Sequence, residues 1–242
     1  MVRTIAERLA RGRVLRRRLP NGRAIFISPD AQLKYLRSEF DEDLIALAKE
    51  RVGPGDVVWD VGANCGVFAF SCDKAAAVLC VEADPFLADV LRRSARLSAN
   101  PVDVLCCAVS NECGLASLSI AARGRASNHL SSVSGSTQTG GERHRLTVPT
   151  LTLDTLLAAH QAPSFVKIDV EGAEMMVLQG ARQLLAEARP TLWLEATGPL
   201  VEACRAFLGE FDYEMTRASG ENFLCLPKEN TDRGEDAEPS YR

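Results

Sequence analysis

Val57-Val58-Trp59-Asp60-Val61-Gly62-Ala63-Asn64-Cys65-Gly66-Val67-Phe68 is the stretch whose reading decides the fold. Apolar, largely β-branched residues run up to Asp60, two glycines follow, and from Val67 the residues suit a helix. That pattern describes a strand ending in a tight turn, where Gly62 and Gly66 permit close approach because they carry no Cβ. Amides at the start of the following helix are expected to face polar or negatively charged ligand groups. A second apolar run, Val78-Leu79-Cys80-Val81, ends in Glu82, twenty positions after Gly62. In an open α/β sheet both turns open at the carboxyl edge, where ligands bind, and Glu82 can there accept hydrogen bonds from a ribose.

Working outward, strands and helices alternate. Upstream, Phe40-Asp41-Glu42-Asp43 opens a helix through Leu44, Ile45, Leu47 and Ala48, with acids in its first turn, and Gly53-Pro54-Gly55 ends it. Downstream, a helix is expected over Val67 to Ala76, and another begins with Asp84 as N-cap and Pro85 at its first position. Leu87, Val90, Leu91 and Ala95 give the latter an apolar face. Val102 to Val109 reads as one strand and Leu115 to Ala121 as an extra one. Residues 122–145 are rich in Ser, Gly, Arg and Thr and read as a long loop, expected to fold over an acceptor as a lid. Leu146 to Leu151 returns to strand character, and Thr152 or Asp154 caps a brief helix to Ala159.

Ser164 to Asp169 is a further strand of the main series, followed by a helix presenting Val177, Leu178, Ala181, Leu184 and Leu185 to the sheet. After Pro190, Thr191 to Glu195 forms a strand that again ends in an acid, and Leu200 to Leu208 is helical. Phe211 to Thr216 and Asn222 to Leu226 close the series as an antiparallel hairpin. Repeated βα units require right-handed crossovers and a mostly parallel sheet with helices on both faces. The catalytic-type domain is thus assigned to residues 51–226. Residues 1–50 form an N-terminal unit of basic helix, hairpin and helix packed on that core, and 227–242 a polar tail expected to be disordered.

The N-terminal unit carries eight arginines within residues 3–23, interspersed with Ile5, Leu9, Val14, Leu15 and Leu19. A basic amphipathic helix of this kind can touch an acidic surface, lipid or RNA, and the plainer alternative is a solvated helix or arm. Asn21-Gly22 marks a hairpin, with Ala24 to Ser28 as its returning strand. Over the whole chain of 242 residues, a net charge of −4 gives no general case for nucleic acid. No apolar run reaches the ~18 residues of a membrane span, and no signal-peptide core precedes the fold. The eight cysteines show no C-x-x-C pair, so buried free thiols in a reducing cytoplasm are expected rather than disulfides or a metal site.

Which nucleoside the rim holds turns on spacing. A nicotinamide dinucleotide fingerprint is G-x-G-x-x-G, whereas Gly62 and Gly66 are spaced G-x-x-x-G with no middle glycine. Asp60 in front of the turn repels a pyrophosphate but suits a cationic amine. S-adenosylmethionine combines a ribose, an adenine, a sulfonium and an ammonium-bearing head, and matches better. A nicotinamide-dependent oxidoreductase and a non-catalytic binding protein on the same fold are the competing readings.

Asp60-Val61-Gly62-Ala63-Asn64-Cys65-Gly66, Val81-Glu82-Ala83-Asp84-Pro85, Ala108-Val109-Ser110 and Lys167-Ile168-Asp169-Val170-Glu171-Gly172-Ala173-Glu174 together resemble the FkbM-type S-adenosylmethionine-dependent methyltransferases. The likeness covers about residues 20 to 226. It implies a Rossmann-like class I methyltransferase with a seven-stranded, mostly parallel sheet whose last strand is antiparallel, in agreement with the C-terminal hairpin. It further implies that Asp60 and the turn through Gly62, Ala63, Asn64 and Gly66 hold the amino-acid portion of the cofactor. Glu82, with Ala83 beside it, takes the ribose hydroxyls, Ala108 and its neighbours line the adenine, and Asp169 sits at the methyl-donating end. The activity implied is O-methylation of a hydroxyl on a sugar, glycan or natural product. For a general base the first candidate is Asp169, which ends a core strand at the ligand edge, then Glu171, then His129 in the loop.

Overall fold

The computed structural model describes residues 2–132 and 140–228. Helix α1 (Val2–Ala10) stops short of Gly12, which takes a left-handed φ of 66°, and the chain turns back into the hairpin β1 (Leu15–Arg18) and β2 (Ala24–Ile27). The basic segment is therefore a short helix and a strand rather than one helix. Helix α2 (Glu42–Arg51) precedes β3 (Val57–Val61), and α3 spans only Val67–Ser71. The expected extension of α3 to Ala76 fails where Ser71 Oγ and Cys72 Sγ both donate back to carbonyls four residues earlier, competing with continuation of the helix. After β4 (Ala77–Val81) comes α4 (Pro85–Ala95), whose N-cap Asp84 accepts from Phe86 N at 2.9 Å as the sequence implies.

The expected strand over Val102 to Val109 divides. Val102–Leu105 is β5, while Ala108–Val109 is β6 and belongs to a different sheet. Strands β7 (Gly114–Ala121), β8 (His129–Leu130) and β9 (Glu142–Leu151) complete that second sheet. The segment read as a structureless loop thus contains β8, a single tight turn over Arg125–Ser127 and the first residues of β9. Residues 133–139, on which part of the lid expectation falls, lie outside the described residues, as does the tail from 229 onwards. Thr152, not Asp154, caps α5 (Leu153–Ala159), and Asp154 instead accepts from Gln183 N and Leu184 N. The remaining elements are β10 (Phe165–Ile168), α6 (Glu174–Gln179), β11 (Thr191–Glu195), α7 (Leu200–Gly209), β12 (Tyr213–Ser219) and β13 (Asn222–Pro227).

The main sheet has seven strands in the order β12-β13-β11-β10-β3-β4-β5, all parallel except β13. Alternation sends Val57, Trp59 and Val61 to one core with Val177, Leu184 and Phe207, and Val58 to the other with Phe68, Leu87 and Leu91. Helices cover both faces, so every strand residue of β3 is buried. The second sheet, order β6-β9-β7-β8, packs Leu118, Ile120, Leu130 and Val148 against Ala173, Val170 and Ala83. Those last residues follow the carboxyl ends of β10 and β4, so the small sheet roofs the rim of the large one.

An ion cluster fastens the roof. Asp30, 3% exposed, accepts from Arg143 at 2.8 and 3.1 Å and from Arg125 Nε at 2.8 Å. Arg125 also reaches Asp84 Oδ2 at 2.6 Å and lies over the Phe86 ring. Burial works against the Asp30 carboxylate, but the Arg143 and Arg125 hydrogen bonds hold its pKa below the ordinary value. A depressed acid stabilises the fold above its unfolded value of 3.8 and loses that contribution as pH falls through the folded value. Asp30→Asn is expected to lower the unfolding free energy at pH 7 by about 3 kcal/mol, because the largely buried Arg143 loses its counterion and Arg125 keeps only Asp84. Urea denaturation of the variant checks this, and an unshifted midpoint would show the cluster to be energetically idle.

Candidate functional site

Strand β3 and strand β10 run side by side with Asp60 opposite Lys167 and Val61 opposite Ile168. At the end of β3 the chain must turn beside the turn that follows β10. Gly62 makes this possible: its φ is +78°, and a Cβ there would lie 1.8 Å from the carbonyl oxygen of Asp169. The amides of Gly62 and Ala63 both donate to Val81 O, Gly66 N donates to Ala63 O, and Asn64 N donates to Glu82 Oε2 at 2.8 Å. The amides of Gly62, Ala63, Asn64 and Gly66 are therefore engaged within the protein.

Between this rim and the second sheet lies a cavity of about 340 Å³. One end is walled by Glu82, Ala83, Cys107, Ala108 and Leu118, the other by Asp169, Glu171, Glu195 and Asn222. Of the residues expected from the sequence, Gly62, Asn64, Glu82, Ala83, Ala108, His129, Asp169 and Glu171 all reach its wall. Asp60, Ala63 and Gly66 do not. Gly66 instead packs its backbone against Leu91 and Phe70, and Ala63 is buried in the core.

Glu82 is held by two backbone amides, Asn64 N on one oxygen and Asp84 N on the other, both at 2.8 Å. Each oxygen keeps a second lone pair for a hydroxyl. Burial raises its pKa to about 7 against the pull of those two amides. Asn64 and Glu171 adopt left-handed φ values of 53° and 55°, uncommon for residues with a side chain, and both stand on the cavity wall. The buried Asn64 Oδ1 has no hydrogen-bond partner within the described protein, which leaves an acceptor at the turn. These features suit a neutral, hydroxyl-rich nucleoside with a cationic head rather than a pyrophosphate.

Lys167 sits in an otherwise apolar strand and organises the acidic end. Its ammonium, 3% exposed, lies 3.0 Å from Asp169 Oδ2 and 3.6 Å from Asp60 Oδ1. Burial opposes its charge, yet Asp169 and Asp60 together hold its pKa above the ordinary range. Asp60, 1% exposed, is raised by burial and eased by Lys167. In this arrangement Asp60 is the counterion of Lys167, and Asp169 is the carboxylate that meets the cavity. Burial, with Asp169 and Glu195 nearby, pushes Glu171 up to about 8; burial and Asp169 push Glu195 to about 7, against Lys167. Glu195 and Lys167 had not been singled out for the site. The usable signal was a lysine and a strand-end acid at positions that period-2 alternation aligns with Asp60. Arg125 and Asn128 were missed too; Asn128 lines the cavity while its Nδ2 donates to Asp84 and its Oδ1 accepts from Ala121 N.

His129 is on the wall with Nδ1 3.3 Å from Ser127 O. Among the described residues no group of three or more His, Cys, Asp or Glu is disposed to hold a metal ion, and all eight cysteines are free.

Residues 60–215 match the model of the methyltransferase FkbM domain. The chain belongs to the FkbM methyltransferase family. It is 33% identical over 159 residues to the hexuronic acid methyltransferase AglP of Haloferax volcanii, covering 64% of this chain and 61% of that protein. The match therefore spans about three fifths of this curated relative. In the crystal structure of methyltransferase FkbM from Methylobacillus flagellatus KT the fold recurs with a TM-score of 0.51 at 18% identity, over 73% of this chain and 44% of that one. The sheet order and the antiparallel β13 agree with the Rossmann-like methyltransferase architecture implied by the sequence.

The buried charges give a direct test. Lys167→Met is expected to cost about 4 kcal/mol, since it strands Asp60 in the core. Adding Asp60→Asn should recover about 2 kcal/mol of that loss in a double-mutant cycle. Strict additivity of the two substitutions in urea titrations would refute the pairing.

Proposed function

We propose that the chain is an S-adenosylmethionine-dependent O-methyltransferase acting on a hydroxyl of a sugar or glycan. The observation that carries the reading is Glu82, a carboxylate on the cavity wall fixed by two amides, standing after β4 where a ribose diol is met in open α/β sheets. When bound, the cofactor supplies an electrophilic methyl group on a sulfonium. Ala83, Cys107, Ala108 and Leu118 offer an apolar wall for its base, and Asn64 Oδ1 and Asp169 offer acceptors for its ammonium head. The acceptor hydroxyl is oriented at the Asp169 end, and its proton passes to a carboxylate there as the oxygen attacks. Glu195 and Glu171, with pKa values of about 7 and 8, are matched to that task near neutral pH. His129 is the remaining candidate base. The sugar as acceptor is supported by the named activity of the Haloferax volcanii relative.

A nicotinamide dinucleotide is disfavoured by the family and by the turn, whose amides are committed to Val81, Ala63 and Glu82 rather than free for a pyrophosphate. No helix of the described residues is long and apolar enough to cross a membrane. The free thiols fit a reducing cytoplasm, and the net charge of −4 fits an acceptor other than nucleic acid.

Glu82→Ala is expected to weaken S-adenosylhomocysteine binding by about 1–3 kcal/mol in calorimetric titration. For the wild type, protonation of Glu82 removes an acceptor from the ribose site, so affinity should fall as pH drops through about 7, by up to about tenfold per unit. Glu82→Gln should flatten that dependence. Unaltered affinity in Glu82→Ala would refute the ribose assignment. Asp169→Asn is expected to reduce kcat by about 100-fold, measured by transfer of labelled methyl to a glycan panel.

A further inference from the structure

A second groove, of about 540 Å³, opens beside the cavity and shares Gln32, Lys34 and Ala126 with it. Its cations are Lys34, Arg37 and Arg123, against one acid on its wall, Glu7. Lys34 pairs with Asp41, but Arg37 and Arg123 are exposed and form no ion pair with any described residue. In a chain with a net charge of −4, two uncompensated guanidinium groups on one groove are a local reversal of sign. We infer that this groove is an acceptor subsite for an anionic group, a carboxylate or phosphate, carried by a saccharide whose hydroxyl is methylated in the adjoining cavity. The inference deepens the sugar-methylation reading and rests on it.

The electrostatics supply the orientation. At the far end of the cavity Asp169, Glu171 and Glu195 face the acceptor with Lys167 as the buried cation beside them. An anionic sugar entering with its charge toward those acids is repelled, whereas the opposite orientation places the charge at Arg37 and Arg123 and a hydroxyl at the carboxylates. Like-charge exclusion and opposite-charge attraction then select the same pose. Arginine suits the role because its planar fork bonds a carboxylate or phosphate through two N–H groups. Gly124 lines the groove and lies so close to Ala31 that a Cβ would come within 2.6 Å of its carbonyl oxygen; Arg125 N donates to Asp30 O beside it. The arginine-bearing strand end and the Ala31–Arg37 segment are thereby held together. A single-stranded nucleic acid fits less well, since no aromatic side chain among the described residues lines the groove to stack a base.

The test measures binding apart from methyl transfer. Trigalacturonate, maltotriose, glucose 1-phosphate and an oligouridylate are titrated by calorimetry into the wild type and into Arg37→Glu/Arg123→Glu, each with S-adenosylhomocysteine present. Trigalacturonate or glucose 1-phosphate should bind more tightly than maltotriose and lose affinity with added salt. The double variant should weaken that binding by about tenfold while its melting temperature and S-adenosylhomocysteine affinity stay at wild-type values. The stronger of the two anionic probes identifies carboxylate or phosphate as the group held. Equal binding of charged and neutral probes, an unchanged affinity in the variant, or tighter binding of the oligouridylate would overturn the inference. Absence of S-adenosylhomocysteine binding in the wild type would instead count against the methyltransferase reading, and the sugar titrations still judge the groove.

Discussion

A buried carboxylate, Asp60, and a buried ammonium, Lys167, sit where β3 and β10 end, and the rest of the molecule is arranged to tolerate them. Asp60 and Lys167 are neighbours because the parallel register makes them so, and Asp169 follows one turn later. An isolated charge at this depth costs several kcal/mol, so neither strand is stable in this register without the other's charge. The same register brings the two turns together until only a glycine fits at position 62. One constraint therefore closes the core below and opens the cavity above: the strands are locked by ion pairing, and the turns diverge from a contact with no room for a side chain.

The roof depends on a different use of charge. Asp84 caps α4 with one oxygen and receives Arg125 and Asn128 on the other, so a helix terminus of the main fold is also the anchor of the second sheet. Arg125 is shared between Asp84 and Asp30, and Asp30 in turn accepts from the amide of Gly12. The N-terminal segment, the small sheet and the rim of the large sheet are thus coupled through two carboxylates. One of the two amides that hold Glu82 belongs to that anchor itself, Asp84 N. A disturbance of the roof is transmitted to the Glu82 carboxylate through a single peptide.

Much of this was legible in the residues, and the failures have a common cause. Strand-turn-helix units announce themselves locally, so β3, β4, β10 and β11, the N-cap Asp84 and the acid Glu82 could be read from spacing alone. The division at Cys106-Cys107 could not: both halves are apolar and extended, and only the partner strand, β4 or β9, distinguishes them. Arg125 and Asn128 lie in a Ser-, Gly- and Arg-rich stretch with no periodicity, where side-chain partners 41 and 44 positions away do the ordering. Asp60 is expected from the sequence to hold the cofactor's amino-acid head, because its charge suits a cationic amine and the family likeness implies it. Its partner across the register, Lys167, turns it inward, and that pairing is invisible until β3 is placed beside β10.

The acidic end of the cavity shows how crowding can prepare a site for proton transfer. Asp169 and Glu195 share one nearby ammonium, Lys167, which is already partly committed to Asp60, and Glu171 adds a third carboxyl beside them. Ionising all three leaves an excess of negative charge in a poorly solvated space, and the pKa values of about 8 for Glu171 and about 7 for Glu195 reflect this. Near neutral pH a proton is accordingly retained within the group. A protonated member can donate to an acceptor oxygen while an ionised neighbour takes a hydroxyl proton, so one cluster supplies both polarities of hydrogen bond. Lys167, buried and pulled toward permanent charge, touches Asp169 alone of the three. The division of labour among the three acids follows from which of them the lysine can reach, and that was decided when β10 paired with β3.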